Sequence, residues 1–187
     1  MRNTLLAVAL FSTFGLHPAG AAEDEWQITP RGFSSDLDVK RQYTGVNDTR
    51  IDGNLAGLGC GIGYLTPVGV VVEIGADAAG EFSLFGSLDT YDLDQQFVAA
   101  GYQFELGSGW RFVPMFGRAR WRLRSEEGAA FNPGPQRSEV IEGYDYYWEA
   151  SVSRRISRVV ALGIGYKQSD YRFGRASSTS FMVTIGL

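Results

Sequence analysis

The chain has one cysteine, Cys60, and one histidine, His17, among 187 residues. A single cysteine excludes an intramolecular disulfide. Cys60 also stands too far into the chain to be a lipid-modified N-terminus, and with no histidine or close run of basic residues to draw out a thiolate, it reads as a small apolar side chain in a strand. Positive charge is scarce: 17 basic residues face 21 acidic ones, for a net charge of −4. That balance offers no surplus for phosphates and argues against a nucleic-acid partner. Past the first residues no apolar run reaches the roughly 20 positions a transmembrane helix needs, and no stretch shows a 3.6-residue apolar stripe. What the chain does have is 24 glycines and 13% aromatic residues, a composition that favours a single β-rich domain.

The first 22 residues read as a signal peptide. Arg2 gives a short positive start, an apolar run extends from Leu5 to Leu16, and the small residues Ala19 to Ala22 precede the acidic Glu23-Asp24-Glu25. The expected organisation is therefore a leader over 1–22 and one domain over 23–187. Removing the leader takes away Arg2 and His17, leaving 16 basic against 21 acidic residues, a charge of −5, and no histidine.

The mature chain alternates. Because successive side chains of an extended chain point to opposite faces, a period of two signals a strand. In 55–65, Leu58, Cys60, Ile62 and Tyr64 share one face while Gly57, Gly59, Gly61 and Gly63 share the other. The same alternation runs through 68–78, 96–105, 142–153, 160–168 and the final "STSFMVTIGL". With "FVPMFGRARWRLRSEE" at 112–127 these make seven clear strands, and an eighth, weaker one is expected within 26–43. The connections at 66–69, 107–109 and 155–158 are tight turns, whereas those at 44–50, 83–92 and 126–139 are long and polar. The last, near 173–178, is shorter than those peers. Short and long alternate, as in an up-and-down meander with all tight turns at one end.

The apolar parity concentrates its aromatics toward strand ends, with aliphatic residues between, the layout of an apolar band flanked by two girdles. The opposite parity mixes glycine with very large or charged residues, which suits a narrow closed interior better than a water-facing surface. The reading is an all-β, closed, antiparallel, eight-stranded transmembrane barrel with a polar lumen. In 112–127, Arg118, Arg120, Arg122 and Arg124 alternate with Ala119, Trp121 and Leu123; this reading turns the arginines inward. The expected lumen network is Glu73, Asp77, Arg118, Arg120, Asp145, Glu149 and Lys167, paired so that no charge is buried alone. Arg122 and Arg124 would sit higher, where they read as a solvated rim; the sharper alternative is contact with phosphate groups at the membrane surface.

The leader, the "GxGY" strands at Gly61–Tyr64 and Gly163–Tyr166, the alternating loop lengths and a last strand running to Leu187 resemble the small outer-membrane β-barrels of Gram-negative bacteria, the OmpA-like, OmpX-like and opacity-protein group. The resemblance covers nearly the whole mature chain and implies an outer-membrane location, contact with lipid and lipopolysaccharide, recognition by the outer-membrane assembly machinery, and a monomer. Members of this group usually end in an aromatic residue, where this chain has Leu187, and with no periplasmic domain expected after the barrel, the resemblance does not imply the peptidoglycan anchoring of the longer members.

Enzymes built on such barrels depend on histidine, which the mature chain lacks, so no catalysis is expected. Acid pairs such as Glu126–Glu127 and Asp92–Asp94 read as solvated faces. No His/Cys spacing suits a metal, and "GLGCGIG" lies on a strand with no following helix, so no cofactor is expected. Two functions stay open: a scaffold that presents its long loops, whose partner the sequence does not name, or a narrow porin-like conduit or small-ligand-binding barrel.

Overall fold

The computed structural model describes residues 17–18, 25–39, 51–81, 89–127, 138–172 and 174–187. Eight strands build the wall: β1 (Glu25–Val39), β2 (Ile51–Leu65), β3 (Val70–Glu81), β4 (Asp89–Tyr102), β5 (Trp110–Glu127), β6 (Ser138–Arg155), β7 (Val160–Tyr171) and β8 (Gly174–Gly186). After a break at Gln103, a short strand Phe104–Gly107 prolongs the line of β4 beside the start of β5. Each strand pairs antiparallel with the next, and β8 closes the ring on β1, from Gly174↔Val39 to Gly186↔Gln27. The result is a closed, up-and-down, antiparallel barrel with no helix among the described residues. Closure leaves no strand edge, the condition for a β-structure to meet hydrocarbon without unpaired amides.

The tight turns gather at one end. Gly69 adopts φ 87°, and the turn between β4 and β5 runs through Gly107, Ser108 and Gly109 at φ 83°, 52° and 77°. Two of those three left-handed positions carry the residue that accepts them without Cβ strain. At the opposite end the strands run further than expected: β4 begins at Asp89, β5 continues to Glu127, and β6 starts at Ser138, so the expected loops over 83–92 and 126–139 shorten. At the last connection Gly174, the first residue of β8, pairs with Tyr171, the last of β7. The expected loop at 44–50 and most of the expected leader lie outside the described residues. Within that leader, His17–Pro18 pairs with Glu105 and Phe104.

Leu58, Ile62, Val72, Ile74, Val98, Ile164 and Phe181 are exposed on the outer wall, while Val71, Phe97, Ala99, Met115 and Tyr147 lie buried inside. The outer face shows an aliphatic zone between two aromatic zones. Trp26 and Tyr64 pack with ring centroids 5.1 Å apart near the tight-turn end, and Phe116 stacks on Tyr146 at 5.6 Å further along. Inside, one apolar cluster around Leu37, Leu55, Leu93, Trp121, Leu123 and Tyr171 fills the lumen toward the long-connection end. A second, around Leu65, Val71, Phe97, Met115 and Tyr147, fills the other half. The interior is therefore less uniformly polar than the sequence implied.

Candidate functional site: a lumen ion cluster and an outer arginine row

Arg31 on β1 reaches across the lumen. Its Nη2 pairs with Glu73 Oε1 on β3, its Nη1 lies 3.4 Å from both carboxylate oxygens of Glu149 on β6, and its Nε lies 3.7 Å from Asp77 Oδ1. Lys167 Nζ on β7 donates to Asp77 Oδ2 and to Gln95 Oε1, each at 2.8 Å. Gln95 Nε2 in turn donates to the Tyr171 hydroxyl. Arg31 also lies 5.0 Å from the Phe97 ring centroid and Lys167 lies 4.6 Å from that of Tyr147, so the cations rest on the aromatic members of the lower cluster. Two cations serve three carboxylates, and all five residues are buried. Such a cluster persists only because each charge faces an opposite one; removing a single partner would strand the rest.

Glycine makes room for this cluster. A Cβ on Gly61 would overlap the Glu73 carboxylate and come 2.8 Å from Arg31 Nη2, and one on Gly59 would overlap the Asp77 carboxylate. The alternating glycines of β2 are thus the empty half of a wall whose lumen side is crowded with charge.

Four of the seven residues expected in the lumen network, Glu73, Asp77, Glu149 and Lys167, meet in this cluster. Asp145 does not join it; its Oδ2 accepts from Trp121 Nε1 at 2.8 Å and from the Arg172 backbone N–H at 3.1 Å. Arg118 and Arg120 are corrected outright: both are exposed on the outer wall, together with Arg122 and Arg124, while Ala119, Trp121 and Leu123 turn inward. The physical reason is register. Residues directly opposite in an antiparallel pair share a face, and Arg118 stands opposite Val98 on one side and Tyr146 on the other, both of them outward. The same parity read backwards gives Phe116, Pro114 and Phe112, an apolar outer face that becomes arginine only in its upper half. Arg31, which holds the cluster together, is absent from the expected network because it lies on the N-terminal strand, the weakest of the eight in its alternation. Trp26 and Ile28 on one face and Gln27, Thr29 and Arg31 on the other would have placed it.

On the outer wall the arginines form a row. Arg118 lies 5.3 Å from the Tyr144 ring centroid and 5.7 Å from that of Tyr146. Arg120 and Arg122 share the Glu142 carboxylate, at 3.4 and 3.8 Å. Beside them a groove of about 380 Å³ opens over β2–β5, lined by Leu58, Ala76 and Ala78 on its apolar side and by Asp94, Gln96, Arg120 and Arg122 on its polar side.

This fold is that of the small eight-stranded outer-membrane barrels. The attachment invasion locus protein Ail of Yersinia pestis, crystallised with the heparin analogue sucrose octasulfate, superposes with a TM-score of 0.63 at 13% identity over 89% of this chain and 100% of that one. Neisserial surface protein A superposes with a TM-score of 0.63 at 12% identity, covering 86% of this chain and 96% of its own. OprG of Pseudomonas aeruginosa, an outer-membrane protein, gives 0.51 at 12% identity over 91% and 97%. No family model matches the chain, and no curated protein matches its sequence. At such identities the likeness establishes the fold.

Proposed function

We propose that this protein is a non-enzymatic barrel of the Gram-negative outer membrane, closed along its axis, that serves as a scaffold for the connections at its long-loop end. The observation that carries the reading is the Arg31 cluster. One guanidinium faces carboxylates from two other strands at mid-lumen, and Lys167 ties a further strand to the same group. The cavities on either side measure about 40 and 20 Å³, which is room for roughly one to three waters each. A lumen so filled suits a support better than a conduit. The outer wall favours a lipid setting, since Leu58, Ile74, Ile164 and Phe181 all stand more than half exposed where water would penalise them.

Localisation is tested by heat-modifiable migration of an outer-membrane fraction: the folded barrel should run apart from its boiled form. Occlusion is tested by single-channel recording in planar bilayers. The wild-type protein should show no steady conductance; a constant open level at modest voltage would favour the conduit and overturn the scaffold reading.

A further inference from the structure

We propose that copies of this barrel associate side by side in the membrane plane, the outer face of β5 of one copy against the outer face of β1 of the next, as an open line rather than a closed pair. The inference rests on the reading that the outer wall meets lipid. It goes beyond the monomer that the resemblance implies, and the occupant of the arginine face is a second copy of this chain.

The matching surface is found by carrying the height of the arginine row around the ring. β1 stands four strands from β5 by either route, on the far side of the barrel. From Gly117 on β5 the registers lead one way through Ala99, Glu73 and Gly63 to Gln27. The other way they lead through Tyr147, Ser169 and Ala176 to Leu37. The two routes end at different residues because tilted strands are staggered around a closed ring. The residue of β1 level with Gly117 therefore lies midway, at Gly32. Both strands run toward the long-connection end, so Asp36 stands at the height between Arg120 and Arg122, and Asp38 at the height between Arg122 and Arg124.

Asp36 and Asp38 are exposed and share the outward parity of Trp26 and Pro30. Their depth is that of the arginine row, which starts where Arg118 stands over the Tyr144 and Tyr146 rings, in the aromatic zone where headgroups begin. Carboxylates at that depth are repelled by headgroup phosphates, and a neighbour's guanidiniums at the same depth relieve them. The balance of charge agrees. On the β5 side four arginines outnumber Asp92, Asp94 and Glu142, which flank them. On the β1 side Asp36, Asp38 and Asp170 outnumber Arg172 and Arg175.

Setting β5 of one upright barrel against β1 of the next also brings β6 beside β8. Glu142 on β6 then faces the exposed Arg175 on β8, a second pair of opposite sign. Lower down, the exposed Phe116 stands level with Pro30 and Gly32, where β1 is flat and a ring can pack closely. Because the two surfaces are different and lie on opposite sides of one copy, the contact repeats by translation and does not close on itself.

The test uses the full chain carrying Cys60→Ser, Ser34→Cys and Arg118→Cys, expressed in a Gram-negative outer membrane and treated there with a short bismaleimide. The two new thiols sit at one depth of the contact and leave Asp36, Asp38, Arg120, Arg122 and Arg124 in place. A ladder of dimer, trimer and longer products is expected on a denaturing gel. Either new thiol alone should give no product, since an open contact never brings like positions together. Ala76→Cys in place of Ser34→Cys moves one thiol to β3, a quarter turn from β5, and should leave only the faint dimer of chance encounters. Arg120→Asp with Arg122→Asp should reduce the ladder by about tenfold or more, and adding Asp36→Arg with Asp38→Arg should restore it. A dimer from a single thiol, an equal yield from the Ala76 pair, or a ladder indifferent to charge reversal would overturn the proposal. So would the lack of a ladder in a chain whose heat-modifiable migration shows a folded barrel, an outcome that leaves the membrane reading intact. A chain that shows no such migration in the outer-membrane fraction overturns that reading and the contact with it.

Discussion

Trp121 donates a hydrogen bond from its indole Nε1 to Asp145 Oδ2 at 2.8 Å, inside the upper lumen. That bond fixes the sense of β5. A tryptophan whose N–H has a partner can be buried, and once it turns inward the flanking arginines must turn outward. Trp121→Ala would remove the ring that packs edge-on against Tyr171 at 5.6 Å and leave a cavity in the upper cluster. A loss of about 3–5 kcal/mol in unfolding free energy is expected from urea titration of the refolded protein. Arg118→Gln, on the opposite face of the same strand, should change it by less than about 1 kcal/mol.

The Arg31 cluster should behave as one unit. Arg31→Met would leave Glu73, Asp77 and Glu149 facing Lys167 alone, and a cost of about 3–5 kcal/mol is expected. The same variant should admit current in planar bilayers where the wild-type protein does not. Glu73→Gln with Arg31→Met should recover part of the stability, because a carboxylate stranded by the first change is neutralised by the second. A double variant no more stable than Arg31→Met would show that the pair is not coupled.

The outer wall separates a membrane barrel from a soluble one. Ile164, on β7, is 63% exposed in the aliphatic zone. In lipid vesicles Ile164→Arg should cost about 2–4 kcal/mol, the penalty of a charge near the bilayer midplane. In water the change would cost almost nothing, so a near-zero value from vesicle-based unfolding would argue that this wall does not face hydrocarbon.

Cys60 offers a probe that needs no engineering, being the chain's only cysteine and exposed on the outer wall between Leu58 and Ile62. In vesicles it should resist a charged, membrane-impermeant thiosulfonate reagent, because a fixed charge does not enter hydrocarbon, and should react with the same reagent once the barrel is unfolded in urea. An environment-sensitive fluorophore at Cys60 should emit as in an apolar solvent. Rapid reaction with the charged reagent would place this face in water.

Glycine in β2 makes the last prediction. Gly61→Val should impair folding severely, since its Cβ would overlap the Glu73 carboxylate beside Arg31. Leu58→Val, on the outer face of the same strand, should be tolerated. Yield of the heat-modifiable form reports both.

Strand number, turn ends and the closed antiparallel order were legible in the sequence because they depend on local alternation and turn chemistry. Glu73, Asp77, Glu149 and Lys167 were placed inward for the same reason: each lies on a strand whose other parity is plainly apolar. β5 is harder to read because its two halves disagree: in 118–124 arginine faces tryptophan and leucine, whereas Phe112, Pro114 and Phe116 share the arginine parity. The lower half of that strand carried the answer. Arg31 was equally legible, given the Trp26 and Ile28 face opposite it.

What the sequence determined alone is periodicity: which residues can share a face, and where the chain must turn. What only the tertiary structure decided is which charges meet. Arg31 and Glu149 lie 118 positions apart, and their approach follows from ring closure and strand stagger, quantities set jointly by all eight strands rather than encoded in any one.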